Sequence, residues 1–247
     1  MKAEIRSYPS LLDLSRAAAE FITGLAEVAA REGDNFTLVL SGGKTPRLLY
    51  ELLAQAPYSS KIDWKQTHLF WGDERCLPPD HTDSNFAMAF QTLISRISIP
   101  SKNVHRIPAE TEPPEAAAKQ YEQTLREFFP PARENEMTSN FPSFDLVLLG
   151  LGEDGHTASL FPGDAALEYQ TSWVAAVDGF GASPAVPRIT LTLPVINRAK
   201  CVLFLASGSE KREVLTAILD NPETTDYPAA RVQPAGRLLW FIDERLV

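Results

Sequence analysis

The chain has 247 residues, 44% of them hydrophobic and 22% charged, an ordinary globular composition that excludes disordered, fibrous and coiled-coil proteins. A formal net charge of −9 argues against a broad nucleic-acid surface, so an anionic ligand needs a local cluster of cations. Cys76 and Cys201, far apart and without C-x-x-C spacing, suggest neither a disulfide framework nor a thiolate zinc site. The first residues, MKAEIRSYPS, lack the apolar core of a signal peptide, and there is no run of 18 apolar residues. The expectation is one domain over residues 1–247, cytoplasmic, away from membranes, with no obligate protein partner indicated.

In chain order, Leu11, Leu14, Ala18, Phe21, Ile22, Leu25 and Val28 recur at helical spacing, with Ser10 placed to cap the helix and Gly33 to end it. Phe36–Leu40 reads as a strand. Ser41-Gly42-Gly43-Lys44-Thr45-Pro46 then turns the chain into a helix carrying Leu48, Leu49, Leu52 and Leu53. His68–Trp71 is the next strand, ending in Gly72-Asp73-Glu74-Arg75, and a further helix is predicted to open at Ser84-Asn85.

Val104–Ile107 predicts a short strand and 114–129 a helix, while the polar, proline-flanked segment 130–143 reads as a surface connection. Asp145–Leu149 is apolar without alternation, as in a strand buried on both faces of a parallel sheet. It empties into Gly150-Leu151-Gly152-Glu153-Asp154-Gly155-His156. Strands follow at 173–177, 188–193 and 201–205, then a helix with Val214, Leu215 and Ile218, and a last strand at 238–242. This alternation predicts an α/β fold, a largely parallel central sheet with helices on both faces. In such a sheet the turns after Leu40, Trp71, Leu149 and Leu205 share one edge and line one crevice.

Neither of two phosphate-binding motifs is complete. Gly150–Gly155 matches G-x-G-x-x-G, but Phe161-Pro162-Gly163 breaks the long helix that a dinucleotide site needs. Gly43-Lys44-Thr45 resembles the end of a P-loop, yet Leu38 stands where its first glycine belongs. What survives is a helix start whose backbone N–H groups favour a phosphate or a developing oxyanion. There is no G-x-S-x-G elbow and no H-E-x-x-H pair. Of the four histidines, His68 and His105 lie in strands and read as packed or surface rings, and His81 as a solvated one. His156 sits in a glycine-flanked strand end beside Asp154, with Asp73 within reach across the sheet edge, an arrangement suited to proton transfer near neutral pH. Lys44, Arg75, Arg188 and Lys211 all fall near these turns and together can grip a phosphate.

The segments SGGKTP (41–46), WGDER (71–75), SN (84–85), GLGEDGHTASLFPG (150–163), PRITLTLP (187–194) and SGSEK (207–211) resemble, in order and over nearly the whole chain, the 6-phosphogluconolactonases of the glucosamine/galactosamine-6-phosphate isomerase superfamily. The resemblance implies a Rossmann-like sugar-phosphate isomerase/lactonase fold and hydrolysis of 6-phosphoglucono-δ-lactone, a sugar phosphate lactone, without metal or organic cofactor. His156 would be the general base, with Asp154 and Asp73 as its acidic partners. Ser41, Gly42, Gly43, Lys44, Thr45, Arg75, Asn85, Arg188 and Lys211 would contact the substrate. The phosphate goes to Arg75, Arg188 and Lys211, and the oxyanion to N–H groups around Gly42 and Gly43. The related deaminases typically carry an A-F-N-E-P-like segment where this chain has Ala158-Ser159-Leu160-Phe161-Pro162, and Asp-Glu-Tyr where it has Asp-Glu-Arg. Two alternatives stay open: an isomerase/deaminase, and a non-catalytic sugar-phosphate sensor.

Overall fold

Seven strands lie side by side in one parallel sheet, and a smaller, three-stranded antiparallel ribbon stands beside it. This arrangement comes from a computed structural model that describes residues 3–130, 141–179, 181–221 and 224–246. Most of the connection expected at 130–143 lies outside the described residues.

The chain opens with β1 (Glu4–Tyr8) and α1 (Leu11–Glu32). Ser10 caps α1 by accepting from Asp13 N–H at 3.1 Å, and Gly33 closes it in the left-handed region at φ 77°. β2 (Phe36–Leu40), α2 (Lys44–Leu53), the single-turn α3 (Tyr58–Lys61) and β3 (Thr67–Trp71) follow. The ribbon strand β4 (Asp73–Arg75) comes next, then α4 (Asn85–Thr92), β5 (Val104–His105) and α5 (Pro114–Phe128). The second half runs through β6 (Leu146–Gly150), β7 (Val174–Val177), β8 (Arg188–Leu191) and α6 (Leu193–Asn197). It ends with β9 (Cys201–Ala206), α7 (Arg212–Asp220) and β10 (Arg237–Asp243).

Every residue of β2 and β9 is buried, so both faces of the central sheet are covered there; in β6, whose apolar run without alternation predicts this, Leu146–Leu149 are buried as well. Burying a Leu or Phe side chain contributes about 1.5–3 kcal/mol each, so the covered sheet stabilises the fold substantially. Two polar residues near its centre are tied directly: Asp145 Oδ2 accepts from Thr37 N–H at 2.8 Å and from its hydroxyl at 2.7 Å.

The expected alternation fails over residues 173–193. Both strands read there exist, but β7 and β8 pair antiparallel with each other, and β8 pairs antiparallel with β4. The reason is the connection: the described residues between β7 and β8 contain no helix, and a parallel pair needs a crossover. β8 also stops earlier than expected, because Leu193-Pro194 begins α6 with proline in its first turn. Glu4–Tyr8 was not expected as a strand. It is a mostly exposed edge strand whose charged residues guard the sheet edge, so it carries no apolar signal.

Strand order locates the crevice. From β2 the chain builds outward through β3 and β5, then returns to place β6 on the other side of β2 and builds outward through β9 and β10. The order therefore reverses between β2 and β6, and ligands of open α/β sheets bind outside the carboxyl ends of the strands at such a point.

Candidate functional site

The two loops that flank this switch point are Ser41–Gly43 after β2 and Leu151–His156 after β6. Both line one cleft, together with Asp73, Arg75, Asn85, Arg188 and Lys211. Lys44 and Thr45 line it too. Every residue assigned above to substrate contact thus meets in a single cleft, as do Asp73 and His156; Asp154 stands behind His156.

The β2 loop is built to present backbone donors. α2 starts at Lys44 on Gly43, whose φ of 98° suits glycine, and no side chain caps its first N–H groups. Those N–H groups and the positive end of the helix favour an anion in the cleft. Tyr50, nearly two turns into α2 and fully buried, secures the turn: its hydroxyl accepts from Ser41 N–H at 2.9 Å and donates to the Ser41 carbonyl at 2.8 Å. Tyr121 on α5 makes the same pair of bonds to Trp71, each at 3.0 Å, at the end of β3. Burial pushes both phenols up, so each stays protonated and able to donate.

The β6 loop presents an acid–imidazole pair. His156 Nδ1 lies 2.5 Å from Asp154 Oδ1, and the same oxygen accepts from His156 N–H at 3.1 Å. Burial pulls the Asp154 carboxyl upward, but the bonds from His156 outweigh it and hold the carboxyl below its ordinary value. Gly152 makes room: a methyl there would collide with the His156 ring and the Asp154 carboxylate. No long helix follows Gly155, and the segment passes through turns to Ala158, which sits at φ 48°, the left-handed region that non-glycine residues seldom occupy. Below the loop, Ser159 is fully buried and donates to Asp73 Oδ2 at 2.7 Å. His156 therefore pairs with Asp154, while Asp73 serves Ser159 and the Asn85 amide, which donates to its carboxylate at 3.3 Å and to its carbonyl at 2.8 Å.

The cations come from separate elements. Arg75 and Arg188 are register partners in the β4–β8 ladder, and Lys211 stands at the start of α7. Arg75 is braced by Asn85 Oδ1 and the Asp83 carbonyl, and Arg188 by the carbonyls of Ser183 and Pro184. Among the described residues, none of Lys44, Arg75, Arg188 and Lys211 is ion-paired with a carboxylate. Burial lowers the Arg188 guanidinium from its usual range, with the nearby Arg75 charge adding to the effect, and burial likewise lowers Lys211. Four cations facing one cleft without carboxylate partners suit an anion in charge and in donor geometry.

Residues that sequence reasoning missed include Tyr50, Tyr121 and Phe161. The Phe161 ring lies 4.9 Å from the His156 ring and 5.7 Å from the Arg188 guanidinium, touching the two chemical halves of the cleft. Among the described residues, no group of three or more His, Cys, Asp or Glu side chains converges as a metal set, and no helix is long and apolar enough to cross a membrane.

Residues 9–240 match the family described as glucosamine-6-phosphate isomerases/6-phosphogluconolactonase. The chain belongs to this family. A 6-phosphogluconolactonase of Nostoc sp. is 39% identical over 245 residues, covering 98% of this chain and 96% of the relative. Among solved structures, a 6-phosphogluconolactonase from Thermotoga maritima superposes with a TM-score of 0.83 at 34% identity, covering 98% of this chain and 100% of that one. One from Trypanosoma brucei superposes with a TM-score of 0.89 at 29% identity, covering 99% and 97%. The α/β fold expected from the sequence, with its parallel central sheet, is the fold of this family.

Proposed function

We propose that the chain is a 6-phosphogluconolactonase that opens 6-phosphoglucono-δ-lactone to 6-phosphogluconate with His156 as general base. The observation that carries this reading is the convergence, in one cleft, of an oriented acid–imidazole pair and four cations without carboxylate partners. A neutral His156, turned by Asp154, takes a proton from water as the water oxygen bonds to C1. The tetrahedral intermediate collapses as the C1–ring-oxygen bond breaks, and His156 returns its proton to that oxygen. Lactones already open in water, so a general base supplying about 10²- to 10⁴-fold is chemically sufficient without a covalent nucleophile.

In this proposal the phosphate dianion lies among Arg75, Arg188 and Lys211. The uncapped start of α2 adds donors from Gly42 and Gly43 for the oxyanion, with Lys44 and Thr45 close by and Ser41 fixed beside them. Asn85 and Asp73 brace this arrangement from the ribbon side. The substrate is small and soluble, in keeping with a cytoplasmic site of action. A lactonase assay that subtracts spontaneous hydrolysis tests the reading. Hydrolysis above background supports it, release of ammonia from glucosamine-6-phosphate without lactone hydrolysis replaces it with a deaminase, and binding of 6-phosphogluconate with neither activity replaces it with a sensor.

A further inference from the structure

Glu74 is 3% exposed, between two residues that line the cleft, yet it does not line the cleft itself. Alternation along β4 turns Asp73 and Arg75 to one face and Glu74 to the other. Both of its oxygens are engaged. Oε1 accepts from the N–H of Arg75 and of Asn85, each at 2.8 Å; Oε2 accepts from Phe86 N–H at 2.7 Å and from the Ser84 hydroxyl at 3.0 Å. A buried carboxylate is costly unless its acceptor sites are filled, and here four donors fill them. Two of the four are the first N–H groups of α4, where a negative charge is favoured.

These bonds do more than cap a helix. Asn85, held through its main chain by Glu74, is the residue whose side chain reaches both sides of the cleft wall. Its Oδ1 accepts from the Arg75 guanidinium, and its Nδ2 donates to Asp73. Resting on the phosphate-binding lactonase reading above, we propose that Glu74 is a positioning residue for the substrate phosphate. It locks the start of α4 to β4, so that Asn85 aims the Arg75 guanidinium into the cleft. A residue that only stabilised α4 would leave phosphate affinity alone in the folded protein.

Glu74→Gln keeps the volume but turns an amide N–H₂ toward one pair of donors, so Phe86 N–H or the Arg75 and Asn85 N–H groups lose their acceptor. In folded protein, checked by circular dichroism, this variant is expected to raise both KM for the phosphorylated lactone and Kd for 6-phosphogluconate by about tenfold, with kcat within about threefold of wild type. Because Glu74 acts through Asn85, Glu74→Gln combined with Asn85→Ala should lose no more affinity than Asn85→Ala alone. A Kd equal to wild type in folded Glu74→Gln, or additive losses in the pair, would overturn the proposal. Should Glu74→Gln not fold, Glu74→Asp keeps the charge and withdraws its oxygens by one methylene. A weakened Kd supports the proposal there, and a wild-type Kd overturns it. Wild-type protein that binds 6-phosphogluconate without opening the lactone would remove the lactonase reading and leave the Kd arm standing.

Discussion

Arg75 and Arg188 stand directly opposite one another across the antiparallel β4–β8 ladder. Like charges in that relationship weaken a sheet, and here one of them, Arg188, is only 4% exposed. Asp73 and Glu74 lie on the same strand as Arg75, but neither is ion-paired with a guanidinium. Their oxygens are committed instead to Ser159, Asn85 and the start of α4. The ribbon thus holds two positive charges together, facing the cleft and without carboxylate partners. A dianionic phosphate fits both the charge and the paired donor geometry.

Arg188→Ala is accordingly expected to raise KM for the phosphorylated lactone by roughly 10- to 100-fold, since a charge-assisted hydrogen bond contributes about 1.5–3 kcal/mol. kcat should fall much less. Wild-type protein should melt at a higher temperature with added 6-phosphogluconate, and the variant should lose most of that rise. An unchanged KM would remove Arg188 from the phosphate site.

His156→Asn tests the chemical half of the cleft. Asparagine keeps a polar group near Asp154 but cannot shuttle the proton, so kcat should fall by about 10²- to 10⁴-fold while KM stays within a few-fold. Steady-state rates corrected for spontaneous hydrolysis provide the measure. Near-wild-type turnover would show that water is activated by another group.

What the sequence made legible follows from which signals are local. Gly43-Lys44-Thr45-Pro46 and Ser84-Asn85 mark helix starts by backbone chemistry alone, and both helices begin there. The apolar run at 145–149 marks a doubly buried strand because no alternation breaks it, and Leu146–Leu149 are buried. The parallel edge then follows, and with it the meeting of Ser41–Gly43 and His156. The ribbon was not legible. β4 has three residues, too few for any period, and its pairing with β8 spans more than a hundred positions. Glu74 looks like one more charge at a strand end, and only the fold brings the start of α4 onto its oxygens. Tyr50 and Tyr121 hide for a related reason. Periodicity records which face of a helix is buried, but not that a phenol on that face reaches a strand end.

Tyr50→Phe isolates that hidden contribution. The ring remains, but Ser41 N–H and its carbonyl lose their partner in a buried turn, at a cost of about 1–3 kcal/mol each way that the group is left unsatisfied. Urea denaturation should show a lower midpoint with an unchanged slope. Because Ser41 leads into Gly42 and Gly43, kcat/KM should fall as well. A variant that is less stable but fully active would mean that the turn holds its shape without the hydroxyl.

Acid is expected to destabilise the protein through a pair of histidines away from the cleft. His68 Nδ1 lies 3.1 Å from His105 Nε2, and the two rings stack at 5.4 Å. His105 also stacks on Phe70 at 4.4 Å, and Phe128 packs against both imidazoles. One ring must donate and the other accept, so the pair tolerates neutral imidazoles and not two imidazoliums. Burial lowers His105 from 6.5 to about 4, with the His68 charge adding to the effect; burial and then Lys102 lower His68. The unfolded chain therefore binds protons at a higher pH than the folded one. This contribution to stability is complete above about pH 6.5 and is lost progressively as pH falls toward about 4. Urea midpoints measured at about pH 7 and about pH 4.5 should drop at the lower value in wild-type protein. In His105→Gln the drop should be smaller, because one of the two depressed groups is gone. An equal drop in that variant would assign the acid sensitivity to carboxylates elsewhere in the chain.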